Sequence, residues 1–223
     1  MCGRMTLTHP NDALARLFDA RPDNDLPTGP RFNICPTQPV VTVHSDGGHR
    51  RLGAMRWGFL PHWYKTHRDG PLLINARGET VADKPAFRQA VRSRRCLIAA
   101  TGFYEWTKDE EDNRLPWYFT PASGAPLVFG GIWQDWSRGE EAWTTCAVVT
   151  IGAGPEMARL HHREPLALAP EDWATWLGET DSPAAPLMQP APDGFYRVHR
   201  VDRQVNSNKA EGPDLVEPLV IDE

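Results

Sequence analysis

Apolar and polar residues alternate in short runs along most of this chain, a pattern typical of strands rather than helices. The runs at 40–44 and 52–59 flank Asp46-Gly47-Gly48 and predict a β-hairpin. Further strands are predicted at 96–100, 103–106, 116–120, 127–133, 143–150 and 195–201. Turn residues at 109–113 and 122–124 separate some of them.

Three short helices are expected between the strands. Asn11 can cap the first, in which Leu14, Leu17 and Phe18 share one face. The other two are predicted at 84–94 and 171–177.

The arrangement of these elements indicates the fold class. Residues 21–39 are rich in Pro, Asp and Asn and predict an irregular surface loop. Because strands and helices do not alternate, we expect an α+β fold. Its mostly antiparallel sheets would curl into a barrel-like single domain, covering residues 1–223 with a few short flanking helices.

Composition does not alter the predicted fold, but it restricts the cellular location, the state of the cysteines and the mode of nucleic-acid binding. No apolar run approaches a membrane span and no signal pattern is present, so a cytoplasmic protein without membrane contact is expected. The four cysteines form no Cys-x-x-Cys pair and are expected to be thiols. A net charge of −5 argues against nonspecific nucleic-acid binding but allows a local basic groove.

Cys2 carries the candidate chemistry. Because the residue is small, removal of Met1 is expected, which leaves a free α-amine beside a thiol. With a pKa of about 7.7–8.0, roughly a tenth or more of such an amine is neutral at pH 7. The amine can form a Schiff base with an aldehyde and the thiol can close a thiazolidine, or the thiol can act as nucleophile with the amine as base. An incidental buried cysteine is the other interpretation.

Two further segments place polar residues beside apolar ones. The apolar strand predicted at 72–74 runs into Asn75, a hydrogen-bonding side chain, and Arg77, an anion-binding one, although a plain strand end has the same pattern. In the segment 102–106, Glu105 lies among aromatic residues. A carboxyl group in apolar surroundings can shuttle a proton near neutrality, whereas on an exposed edge strand it would be solvated.

The adjacent histidines His161 and His162 precede another predicted strand. On a strand they would point apart, so at most one would reach a given site. Without a His-x-x-x-His spacing or a cysteine pair, we expect no metal and no cofactor. A role of one histidine in general acid–base catalysis or in electrostatic stabilisation fits better. The neighbouring Arg163 can bind phosphate.

Aromatic and basic residues suggest contact with single-stranded nucleic acid. Trp57 and Trp63 lie near Arg56, and bases can stack on such rings while cations hold phosphates, although core packing is the usual fate of tryptophan. Arg4 adds positive charge. Asn206 lies in a polar segment that suits backbone contacts or a plain turn.

These segments occur in a recognisable order. They are Met1–Arg4, 31–33 with 36–37, Trp57 to Trp63, 74–77 with 79–80, 102–106, His161 with Arg163 and Pro165, and 205–206. Together they resemble the SRAP family, the SOS-response-associated peptidases or abasic-site-processing proteins, over nearly the whole chain. The chain departs from the family at Cys35, where Ala is more usual, and at Glu164, where many relatives carry Met or Arg.

The resemblance implies covalent capture of abasic sites in single-stranded DNA, through a thiazolidine between Cys2 and the sugar aldehyde. It implies that Asn75, Glu105 and His161 complete the catalytic set, and that Met1 is removed autoproteolytically. Strand cleavage by β-elimination is a possible second activity. The DNA-binding candidates are Arg4, Asn33, Trp57, Trp63, Arg77, Arg163 and Asn206. A monomer is expected, bound to the nucleoid when on DNA.

Two alternatives remain open. An N-terminal-nucleophile amidohydrolase, such as a glutamine amidotransferase domain, shares the Met-Cys-Gly start but leaves the segments around Trp57, Glu105 and His161 unexplained. A noncatalytic single-stranded DNA-binding module would make Cys2 incidental.

Overall fold

The computed structural model describes residues 2–219, in which short strands predominate. The described strands are β1 (Met5–Leu7), β2 (Ala20–Pro22), β3 (Arg31–Ile34), β4 (Pro39–Asp46), β5 (His49–Trp57), β6 (Asn75–Arg77), β7 (Arg95–Ala100), β8 (Gly102–Lys108), β9 (Arg114–Pro121), β10 (Leu127–Arg138), β11 (Glu141–Gly152), β12 (Arg163–Pro165) and β13 (Tyr196–Arg200). The described α-helices are α1 (Asn11–Phe18), α2 (Ala90–Ser93), α3 (Pro155–Ala158) and α4 (Trp173–Leu177). The predicted α+β class is confirmed.

Five strands close into a barrel. In the order β11–β10–β7–β4–β5 neighbours pair antiparallel, and β5 pairs in parallel with β11 at Trp57 and Cys146. Gly58 follows this closing pair with a φ of 137°, and its N–H donates to the Cys146 carbonyl at 2.9 Å. L side chains rarely adopt this positive φ, so the closure favours glycine, and a Cβ here would also force the Leu72 side chain to move.

A second sheet lies against this barrel, in the strand order β13–β9–β8–β1–β3. The chain passes from barrel to sheet at Thr101, between β7 and β8, where the Thr101 N–H donates to the Thr6 carbonyl at 2.8 Å. The N–H of Tyr104 on β8 donates to the Arg4 carbonyl at 3.0 Å. The N-terminal segment is therefore fixed on the sheet, and Cys2 belongs to the same apolar core as Trp57.

Most strand predictions are confirmed, including the hairpin of β4 and β5 with its turn at Gly47 and Gly48. The prediction for residues 21–39 is wrong in part, because β3 forms there and pairs with β1. The strand predicted at 72–74 is also displaced: β6 begins at Asn75 and pairs with β11. In both places, pairing with a distant strand decides the conformation.

The predicted helices form but differ in detail. In α1, Pro10 is the N-cap and the Asn11 side chain donates to a carbonyl of the following loop, so the predicted cap is wrong. Leu14 and Phe18 are buried, but Leu17 is 42% exposed. α2 covers only the end of the segment 84–94, whose earlier part is a series of turns. No helix within residues 2–219 is long and apolar enough to cross a membrane.

Candidate active site

Cys2 lies inside the protein, just before β1, with 1% of its surface exposed. Its carbonyl oxygen accepts a hydrogen bond from Asn75 Nδ2 at 2.9 Å. Burial raises the pKa of the Cys2 thiol, and the nearby Glu105 carboxylate raises it further, against a smaller lowering by the Arg4 backbone N–H. The thiol is therefore protonated at neutral pH, and a base must activate it.

Glu105 faces the interior from β8. Strand alternation puts it on the same face as Phe103, and the two residues are 3% and 0% exposed. The solvated interpretation of Glu105 is therefore wrong. Asn75, the first residue of β6, is placed by the pairing of β6 with β11. Three elements thus bring Cys2, Asn75 and Glu105 together.

Tyr196, which the sequence patterns did not single out, belongs to the same buried region. Its hydroxyl has no hydrogen-bond partner among residues 2–219. Burial raises the pKa of Tyr196 well above its ordinary value, and electrostatic interactions with Glu164 and Cys2 raise it further. Only the position of β13 in the sheet brings this phenol towards Cys2, so local sequence carries no signal for it.

The imidazole rings of His161 and His162 lie against each other, in a tilted arrangement, ahead of β12. Their ring centroids are 4.4 Å apart with an interplanar angle of 32°. The prediction that they point apart is wrong because both precede the strand. His161 Nδ1 lies 3.0 Å from the Arg163 carbonyl oxygen and 3.1 Å from its amide nitrogen, so its tautomer decides which bond forms. The electrostatic interaction with the neighbouring His161 ring is the main cause that lowers the pKa of His162.

Arg163 on β12 is fixed by a bidentate ion pair. Its Nη1 and Nη2 lie 2.6 and 2.9 Å from the two carboxylate oxygens of Glu79, and Nη2 also donates to the Thr150 carbonyl at 2.6 Å. Only 11% of the Arg163 side chain is exposed. Arg77 pairs with Thr150 in the sheet and is exposed. Its charge contributes to the lowered pKa of His162, so Arg77 and the histidine pair lie in one basic region.

Glu164, the departure noted in the sequence, points into the protein. Its side chain is 2% exposed, and its two oxygens accept the N–H groups of Gly154 and Ala191 at 2.8 and 2.7 Å. Burial raises its pKa, and these hydrogen bonds lower it in part. The residue therefore fastens two loops to β12.

Arg4 and Asn33 are also internal. The Arg4 guanidinium donates to Asn33 Oδ1 at 2.6 Å, to the Val205 carbonyl at 2.8 Å and to Asn208 Oδ1 at 2.6 Å. The Asn33 amide donates to two carbonyls of the 207–210 segment. These contacts tie the C-terminal segment to the N-terminal one, and a role of Arg4 and Asn33 in DNA binding stays a prediction.

Trp57 and Trp63 do not form the expected platform. Trp57 is 0% exposed and its Nε1 donates to the Ile74 carbonyl at 2.9 Å, so its ring is not available for stacking. It is buried because the closing strand pair of the barrel includes Trp57 itself. Trp63 is 45% exposed, with His62 against it at 5.0 Å between centroids. Trp63 stays a candidate.

Asn206 positions another tryptophan. Its Oδ1 accepts a hydrogen bond from Trp106 Nε1 at 2.6 Å, and its Nδ2 donates to the Arg114 carbonyl at 3.1 Å. The guanidinium carbons of Arg4 and Arg114 lie 5.5 and 4.5 Å from the Trp106 ring centroid. A direct DNA contact of Asn206 stays a prediction. Within residues 2–219, no three His, Cys, Asp or Glu side chains are grouped to hold a metal ion.

Comparisons with known proteins identify the family and support the fold. The sequence model of a family described as SOS response associated peptidase (SRAP) matches residues 1–208. The chain is 34% identical over 224 residues to the abasic site processing protein YoqW of Bacillus subtilis (strain 168), which covers 97% of this chain and 99% of the relative. It is 30% identical over 230 residues to the abasic site processing protein YedK of Escherichia coli (strain K12), covering 98% and 100%.

Solved structures show the same architecture. A crystal structure of a protein from Bacteroides thetaiotaomicron superposes with a TM-score of 0.86 at 20% identity, covering 98% of this chain and 100% of that one. That identity supports the fold alone. A phage-related protein from Bordetella bronchiseptica gives a TM-score of 0.69 at 29% identity, covering 90% and 94%.

Proposed function

Because the chain belongs to the SOS response associated peptidase (SRAP) family, we propose that it processes abasic sites in DNA by forming a covalent bond from Cys2. Its relatives YoqW and YedK are named abasic site processing proteins. One observation carries the proposal: the Cys2 carbonyl is held by Asn75 at 2.9 Å while Glu105, a buried carboxylate, lies near the thiol.

The reaction begins with removal of Met1. Hydrolysis of the bond between Met1 and Cys2 consumes one water and frees the Cys2 α-amine, whether the protein or an aminopeptidase catalyses it. The hydrogen bond from Asn75 engages the carbonyl on the other side of the Cys2 Cα. It therefore persists after cleavage and keeps the new amine in place.

The amine then attacks the aldehyde carbon of the ring-opened sugar. The resulting carbinolamine loses water to give the Schiff base, and Glu105 can protonate the departing hydroxyl. The thiol next adds to the imine carbon: a C–S bond forms, the C=N bond becomes C–N, and the thiol proton passes through Glu105 to the nitrogen. The product is a five-membered thiazolidine, with one water released overall.

His161 supplies a second proton-transfer group. Its Nδ1 is engaged by the backbone of Arg163, which fixes the orientation of the imidazole. We assign it to sugar-ring opening, and to β-elimination from the Schiff base when the thiazolidine does not close. This second outcome would cleave the strand and is the lyase branch of the proposed activity.

Because the net charge of the protein is −5, its overall charge does not attract DNA. The DNA partner is therefore held mainly by a local region of positive charge. Arg77 is the exposed cation of the basic region, and Arg163 lies beside it in its ion pair with Glu79. Single-stranded DNA suits a buried thiol, because an unpaired nucleotide can leave the stack and enter. We propose that a monomer acts in this way in the cytoplasm, on nucleoid DNA.

A denaturing gel tests the proposal. The protein is incubated with a single-stranded oligonucleotide that carries one abasic site, and a covalent complex should appear. An oligonucleotide with a tetrahydrofuran analogue, which has no aldehyde, should give none. Equal complexes with both strands, or none with the abasic strand, would overturn the covalent mechanism. Glutamine hydrolysis in a parallel assay would instead favour an amidohydrolase.

A further inference from the structure

A row of three side chains crosses the second sheet and ends at Glu105. The register pairs Glu105 on β8 with Trp117 on β9, and Trp117 with Arg200 on β13. Residues paired in register point to the same face, so these side chains lie side by side. At a strand spacing of about 4.8 Å, the backbone of Arg200 is about 10 Å from that of Glu105.

Arg200 lies on the indole of Trp117, with its Cζ 5.3 Å from the ring centroid. The ring is itself fixed, because Trp117 Nε1 donates to Thr107 Oγ1 at 2.9 Å. Both Trp117 and Arg200 are partly exposed. The guanidinium is thus held against the Trp117 ring in the row that ends at Glu105, while the Arg200 side chain as a whole stays partly exposed.

The hydrogen-bonding capacity of Arg200 is unused by the described part of the chain. Its Nε is buried and has no hydrogen-bond partner among residues 2–219. Within the same residues, no carboxylate forms a salt bridge with it, whereas Arg163 is paired with Glu79. A planar guanidinium with unused donors matches the geometry of a phosphate group.

We propose that Arg200, held on Trp117, binds a backbone phosphate of the DNA strand next to the abasic site. This inference rests on the proposed function, which brings a single strand to Glu105. The strand then extends from Cys2 along the row of side chains, and its next phosphates pass over β9 and β13. Trp117 keeps the guanidinium plane oriented and shields one of its faces from water.

The chain offers a matched control on the same strand. Arg197 lies three residues before Arg200, so strand alternation places it on the opposite face of the sheet, and it is exposed. Arg200→Gln and Arg197→Gln therefore remove the same charge from the two faces of β13. Equilibrium binding is measured with the tetrahydrofuran oligonucleotide, which cannot crosslink, over a range of salt concentrations.

Arg200→Gln should weaken binding about tenfold and reduce the slope of log K against log salt by about 0.7, the value for one phosphate of a single strand. Arg197→Gln should leave both quantities as in the wild-type protein. Arg200→Lys keeps the charge but not the planar stack, so it should retain the salt slope and lose part of the affinity. Thermal unfolding verifies that each variant is folded.

Equal affinity and equal slope for Arg200→Gln and Arg197→Gln would overturn the inference. If Arg200→Gln does not fold, Arg200→Lys decides it, because wild-type affinity for that variant would exclude the stacked phosphate contact. Crosslinking by the wild-type protein is assayed in parallel with the aldehyde strand. Loss of that signal is a failure of the proposed function, whereas crosslinking without an Arg200 effect is a failure of this inference alone.

Discussion

At the scale of single residues, burial sets the chemistry of Cys2. A buried thiol with a raised pKa is a poor nucleophile at neutral pH unless a base removes its proton as it reacts. Glu105 is 3% exposed on the interior face of β8 and lies close enough for its charge to affect the thiol. The proposed mechanism therefore requires a carboxylate at position 105.

Glu105→Gln tests this requirement. The amide preserves size and shape but cannot carry the proton, so crosslinking to an abasic strand should slow by about 10²–10⁴-fold. The rate is followed by quenched time points on a denaturing gel. Glu110→Gln, an exposed control, should react at the wild-type rate. An unchanged rate for Glu105→Gln would show that the proton moves by another route.

The sequence located some of these residues better than others. Alternation placed Glu105 on the face of Phe103, but only the packed structure decides that this face is buried. Trp57 was indistinguishable from an exposed stacking residue, because strand closure at Cys146 is not a local property. Tyr196 and Arg200 were missed for the same reason: their neighbours come from distant strands.

At the scale of elements, the alternation of side chains along β12 directs two neighbouring charged residues to different surroundings. Arg163 points to the ion pair with Glu79, while Glu164 points inward to Gly154 and Ala191. The negative charge of Glu164 therefore acts inside the protein, although the sequence placed it beside a phosphate-binding arginine. The pair between Arg163 and Glu79 joins β12 to the residues that follow β6.

The pH dependence of this pair gives a second prediction. Arg163 lowers the pKa of Glu79, so the pair stabilises the fold above the unfolded value of about 4.3. That stability is lost as the pH falls through the lower folded value. The Glu79 side chain is 51% exposed, so the effect at pH 7 should not exceed about 1 kcal/mol.

Urea unfolding of the Glu79→Gln variant and of the wild-type protein measures the contribution of this ion pair to stability. The variant should have the lower free energy of unfolding at about pH 7, and the difference should shrink as the pH falls through the folded pKa of Glu79, because both states then become protonated. A difference that persists in acid would mean that Glu79 acts through packing rather than through its charge.

The predictability of the elements follows from the range of their contacts. The hairpin of β4 and β5 is encoded locally, by alternation and by Gly47 and Gly48 in the turn. β3 is short, lies among prolines and is stabilised by pairing with β1, so composition predicted a loop instead. β6 is likewise three residues long and depends on β11. Long-range pairing is what the sequence patterns could not supply.

At the scale of the whole molecule, the residue proposed to react lies in the core rather than on the surface. Cys2 belongs to the cluster that fills the barrel and the space beside it, and it is 1% exposed. A sugar in a base-paired stack cannot reach such a position without leaving the helix. Under the proposed function, we therefore expect a preference for flexible, single-stranded substrates.

Crosslinking should accordingly be faster with an abasic strand alone than with the same strand annealed to its complement. Added salt should slow capture at subsaturating protein, since the phosphate contacts are electrostatic. Time courses on the two substrates at several salt concentrations measure both effects. Equal rates on single-stranded and internal duplex sites would contradict a recessed site.

The most direct test of the central claim separates the amine of Cys2 from its thiol. After Met1 removal, Cys2→Ala retains a free α-amine but cannot close the thiazolidine. With an abasic single strand it should give a covalent complex only when borohydride reduces the Schiff base, and otherwise strand cleavage. The control Cys35→Ala should crosslink like the wild-type protein without reduction. The contrary result is a Cys2→Ala complex that survives denaturation without borohydride to the same extent as the wild-type complex. That result would contradict a covalent role for the Cys2 thiol.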